Sequence, residues 1–98
     1  MYAVVTRRRM NRERAEETRE RATSEFWPKL QQAPGFVSFS LIQGEDGVTI
    51  VVVLFESKAR ADAFQGEATT WSPALDELGH QIETQESGEV LQHITPRP

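Results

Sequence analysis

Two histidines, a run of three arginines and four helix-borne aromatic rings are the residues of this chain whose types and spacing suit chemistry. Histidine is the natural general base near neutral pH. His93 sits in Glu89–Thr95 (EVLQHIT), which reads as a closing strand, and shares the parity of Leu91, so it is the candidate base. His80 follows Gly79 and reads as a helix C-terminal cap or a surface residue. The two are thirteen positions apart with no carboxylate at ligand spacing, so no metal site is expected. Phe26, Trp27, Phe64 and Trp71 could wall an apolar pocket, and Arg7, if it faces the helices, could hold an oxyanion. Helix-to-sheet core is the plainer reading of Phe26 and Phe64, whereas Trp71, beside Ser72-Pro73, suits lining and packing equally. The chain has no glycine-rich phosphate loop, no G-x-S-x-G elbow and no paired carboxylates on an apolar face. Kinases, hydrolases and dinucleotide-dependent dehydrogenases therefore have no support.

The elements that must position these residues follow from pattern. Tyr2–Arg8 (YAVVTRR) is rich in β-formers. Asn11 is a suitable N-cap for a helix whose Ala15, Thr18, Ala22, Phe26 and Leu30 recur at steps of three and four. Pro28 should kink or end that helix, and Ala33-Pro34-Gly35 stops it. Phe36–Gln43 and Val48–Glu56 read as strands of a hairpin turning at Gly44-Glu45-Asp46-Gly47. Ser57 caps a second helix, interrupted near Thr69–Pro73 and resumed to Gly79. A polar stretch, Gln81–Gly88, then leads to the closing strand. The order β-α-β-β-α-β implies an α+β, ferredoxin-like domain: a four-stranded antiparallel sheet with two helices on one face.

The hairpin's second strand has two apolar faces, Val48, Ile50, Val52 and Leu54 on one and Val51, Val53 and Phe55 on the other. Two helices cover only one face, so the other calls for a second subunit, a homodimer through the open sheet face.

Ninety-eight residues make one domain, spanning 1–98 with 95–98 as a tail. A chain of this size buries only about 60 to 65 % of its unfolded surface, so a partner would help it. No cysteine is present, which excludes disulfide staples and thiolate metal sites and makes the cytoplasm the expected location. No apolar run could cross a bilayer, so no membrane partner is expected. Seven arginines fall in the first 21 residues, but four glutamates are threaded among them and the net charge is −4. A solvated, salt-bridged helix face fits this better than a nucleic-acid surface.

With Pro34-Gly35-Phe36 entering one strand, Phe55-Glu56-Ser57 leaving the next, and Ala61-Asp62-Ala63-Phe64 beyond, nearly the whole chain resembles the antibiotic biosynthesis monooxygenase (ABM) family of dimeric α/β barrels. The resemblance implies oxidation of a small quinol- or polyphenol-like aromatic by O2, without metal, flavin or other cofactor. Arg7 would then stabilise the anion, Trp71 stack on the ring and His93 take the proton, with Tyr2, Phe26, Trp27 and Phe64 contacting substrate. It also admits a non-catalytic dimeric module that binds a small ligand or serves a structural or stress-response role. The haem-degrading branch uses Asn, Trp and His at positions that ungapped counting assigns to Arg7, Phe64 and Pro73, and none matches. A shifted alignment pairing Trp71 with His80 needs a helix insertion and still leaves the first strand without Asn.

Overall fold

The computed structural model of the chain describes residues 1–97 and has the expected β-α-β-β-α-β order; Pro98, the end of the expected tail, lies outside the described residues. The strands are β1 (Tyr2–Arg9), β2 (Phe36–Gln43), β3 (Val48–Phe55) and β4 (Gln81–Glu89), and every neighbouring pair is antiparallel in the order β2-β3-β1-β4. No described helix is long and apolar enough to cross a membrane.

The first helical segment is built in pieces. Asn11 caps it by accepting the Glu13 N–H, and a 3-10 turn at Arg12–Arg14 leads into α1 (Ala15–Arg21). Residues Ala22–Phe26 then widen into a π-helical turn, the Trp27 N–H reaching back five residues to the Ala22 carbonyl, before α2 (Trp27–Gln31). Pro28 is the cause: it has no N–H for the Ser24 carbonyl, and widening the turn moves its ring away from the preceding backbone. The salt-bridged helix face is present, with the ion pairs Arg14–Glu17 and Arg21–Glu25 along it.

The second helix, α3 (Lys58–Glu77), is capped as expected by Ser57, whose Oγ accepts the Arg60 N–H. The expected interruption near Thr69–Pro73 is absent. Pro73 costs one hydrogen bond at the exposed Thr69 carbonyl, but the helix must run on to bury Leu75 and Leu78, which are 7 % and 0 % exposed.

The closing strand lies at Gln81–Glu89, not at Glu89–Thr95. Glu89 already stands opposite Tyr2, where β1 begins, so the chain offers residues 91–95 no backbone to pair with. The polar β4 is held by cross-strand bonds: Tyr2 donates to Ser87, Gln85 donates to Thr6, and Glu83 pairs with Arg7 and Arg9.

The core lies between helices and sheet, with Tyr2, Leu30, Phe55 and Ala61 buried at its centre. The opposite face of the sheet is uncovered. Register places Ser40, Val52, Val5 and Glu86 in one row across it, with Ile50 and Leu54 in the rows on either side.

Candidate active site

A cavity of about 190 Å3 opens between the helices and the covered sheet face. Its walls are apolar. Phe26 stacks on Trp71 with ring centroids 5.4 Å apart and planes inclined by 17°, and Phe64 lies 5.8 Å from Phe26 and 5.9 Å from Phe55. Trp27 sits 6.1 Å from Phe39 on the β2 side. Phe26 and Phe64 thus both pack the core and line the cavity, so the two readings of those residues merge. Trp71 lines the cavity too, with a flat face already against Phe26 and the Arg21 guanidinium 6.0 Å from its ring. Tyr2 does not reach this cavity; it is buried in the core, its hydroxyl on Ser87, beside a smaller polar recess.

The polar end of the cavity is made by residues other than the expected ones. Arg7 faces the open side of the sheet, where its Nε lies 3.5 Å from Glu83. Strand alternation turns Arg8 inward with Thr6 and Val4, and β1–β3 register sets it opposite Thr49 on the same face. Arg8 Nη1 and Thr49 Oγ1 are both buried without a hydrogen-bond partner among the described residues. Burial lowers the Arg8 pKa from its ordinary value, offset in part by Asp76, and the group stays charged. Arg8 and Thr49 both line the aromatic-walled cavity and each carries a buried polar atom without a partner, a pair of residues that an oxyanion would suit.

His80 also lies here. The α3 C-terminus ends in a Schellman motif: the His80 N–H bonds the Leu75 carbonyl at 2.9 Å and the Gly79 N–H bonds Asp76 at 3.0 Å, with Gly79 at φ +85°. That turn drops the imidazole inward, where His80 is 2 % exposed. Nδ1 accepts the Asn11 N–H at 3.3 Å, so the neutral ring carries its proton on Nε2, 2.6 Å from Thr18 Oγ1. Burial, then the charges of Arg8 and Arg14, hold its pKa below 6.5. His93, the expected base, is on the exposed tail beyond β4 and does not line the cavity.

Two predictions follow from this corner. Gly79→Ala forces an L-residue into the left-handed region and sets its Cβ 2.8 Å from Asn11 Nδ2, whereas a Cβ at Gly66 in α3 meets nothing within 4 Å. Thermal melts should show Gly79→Ala destabilised by about 1–3 kcal/mol and Gly66→Ala stabilised by about 0.5–1 kcal/mol. For His80, the unfolded ring takes a proton near 6.5 while the folded ring resists it. Its contribution is therefore complete above about pH 6.5 and is lost as pH falls through the lowered native value. Between pH 7 and 5 the urea midpoint should drop more steeply for the wild type than for His80→Gln; equal slopes would contradict this.

No family model matches the sequence, and no curated protein does. Solved structures do. A candidate antibiotic biosynthesis monooxygenase of Deinococcus radiodurans superposes with a TM-score of 0.79 over 100 % of both chains at 13 % identity. The fold is that of the antibiotic biosynthesis monooxygenases. A Streptomyces coelicolor monooxygenase in complex with nanaomycin D shares this ABM fold at a TM-score of 0.72, with 17 % identity over 99 % of this chain and 91 % of that one. A dimeric ferredoxin-like protein from an uncultured marine organism matches at 0.73, with 12 % identity over 97 % and 98 % of the chains. The ABM resemblance read from Pro34-Gly35-Phe36 and Phe55-Glu56-Ser57 thus holds at the level of fold.

Proposed function

We propose that this chain oxidises a small phenolic aromatic with O2, the ring lying along Phe26, Phe64 and Phe55 and the ionised oxygen against Arg8 and Thr49. The observation that carries this reading is that Arg8 and Thr49, each with a buried polar atom lacking a partner, both line an aromatic-walled cavity. The volume suits one or two fused rings, since a dry cavity of about 150 Å3 accepts benzene.

Arg8 favours the phenolate, which is a far better electron donor than the phenol, and the displaced proton leaves through the mouth beside the exposed Leu41 and Arg19. One-electron transfer to O2 leaves a substrate radical and superoxide, which combine to form a carbon–oxygen bond. On a ring methylene, cleavage of the O–O bond then gives a carbonyl and one water: the carbon loses four electrons and O2 gains four. Arg8 and Thr49 hold the developing oxyanion throughout. An imidazole ligand for haem iron needs a free ring nitrogen, and His80, the histidine on this cavity, has both engaged, so the residues do not fit haem binding here.

The active form in this reading is a homodimer closed across the open sheet face. Val5, Ile42, Ile50, Val52 and Leu54 form an apolar patch there that a second copy would cover, and a dimeric protein of the same fold supports it. The catalytic reading is tested with an oxygen electrode over naphthols and naphthoquinols, after each compound's binding has been measured. Uptake above the buffer rate is expected; compounds that bind yet are oxidised no faster than in buffer would leave a binding protein and overturn the enzyme.

A further inference from the structure

The cavity's hydrogen-bonding polarity is fixed at one further position. His80 Nδ1 is held as an acceptor by the Asn11 N–H, so Nε2 must donate to Thr18 Oγ1. Thr18 in turn donates its hydroxyl hydrogen to the Arg14 carbonyl at 2.8 Å. A hydroxyl has one hydrogen and two lone pairs. With the hydrogen and one lone pair committed, Thr18 keeps a single free lone pair on a side chain that lines the cavity. It cannot turn round to donate without breaking the bond to Arg14. The donors Arg8 and Thr49 line the same cavity, and the Arg8 charge is felt at His80.

We propose that Thr18 is a specificity-determining residue that accepts a hydrogen bond from a free hydroxyl beside the substrate's ionised oxygen, the Arg14 carbonyl keeping it an acceptor and His80 acting as the positioning residue that holds its oxygen in place. This inference rests on the aromatic-anion reading of the cavity and narrows it to vicinal or similarly spaced dihydroxy aromatics. An ether at the second position brings a lone pair against a lone pair and a methyl group into the same space, so it should bind worse than the diol.

The test is calorimetric titration under nitrogen, where turnover plays no part, with 2,3-dihydroxynaphthalene, 3-methoxy-2-naphthol and 2-naphthol. The wild type should bind the diol about tenfold more tightly than the ether, the worth of about 1.4 kcal/mol. Thr18→Val should bring the two within about twofold while leaving 2-naphthol unchanged, and Thr18→Ser should keep the preference. His80→Leu, which removes the Nε2–H bond that positions the Thr18 oxygen, should lower the preference without abolishing it; full retention would show that His80 does not position Thr18. Equal wild-type affinity for diol and ether, or a preference that survives Thr18→Val, overturns the assignment to Thr18, and the wild-type comparison decides even if the valine variant does not fold. Failure of all three compounds to bind would overturn the aromatic-anion reading underneath.

Discussion

Replacing Arg8 with methionine should yield a protein that is more heat-stable and nearly inactive. The guanidinium is half-buried and one of its nitrogens has no partner, while burial lowers its pKa. A buried polar group left unpaired costs about 1–3 kcal/mol, and an unbranched apolar side chain of similar length removes that cost. For a domain of this size each kcal/mol raises the melting temperature by about 4–8 °C. The same change deletes the charge proposed to hold the substrate oxyanion, so a loss of about 100- to 1000-fold in kcat is expected. Opposite signs for stability and activity are the signature of a group retained for function. Arg7→Met, on the other face with its partner Glu83, should leave turnover within about twofold. Undiminished oxygen uptake by Arg8→Met would remove Arg8 from the mechanism.

Val52→Glu should turn a dimer into a monomer. Val52 stands on a central strand, between Ser40 and Val5 in the middle row of the uncovered face, so a two-fold partner would bury it. An uncompensated buried charge costs about 3–5 kcal/mol. A weakening of about 150- to 5000-fold in the dimer constant is therefore expected, moving a micromolar sample toward monomer in sedimentation. A wild-type monomer at that concentration would overturn the dimer, and a glutamate variant that stays dimeric would place its interface elsewhere.

Much of the fold was legible because its elements carry strong periodicity. The hairpin strands show alternation, the turns carry glycine, and Asn11 and Ser57 are side-chain caps of the expected kind. The closing strand was not, because β4 is polar on both faces and is held by cross-strand hydrogen bonds and ion pairs, while the apolar-looking Leu91 and Ile94 are exposed beyond the end of β1. His93 was lost as a site residue with that strand. The aromatic walls follow from helical spacing, but the polar end turned on parity in Arg7-Arg8-Arg9, where adjacent identical residues face opposite sides. Tyr2, Val4 and Thr6 give the inward row, yet Ala3 and Val5 alternate as plausibly, so only the register against β3 decides it. His80 was hidden for a different reason. A histidine after a helix-ending glycine usually meets solvent, and here the turn at Gly79 delivers it inward instead.

Arg8 and Thr49 are proposed to make the cavity a receptor for an aromatic oxyanion. This is tested most directly by the ionisation of 2-naphthol bound to the protein, followed through its absorbance as pH is varied with protein in excess. The bound naphthol should ionise at least one unit lower than in water, equivalent to about 1.4 kcal/mol in favour of the anion, and Arg8→Met should abolish the shift. An unchanged or raised pKa in the wild type would show a merely apolar cavity and contradict the site described here.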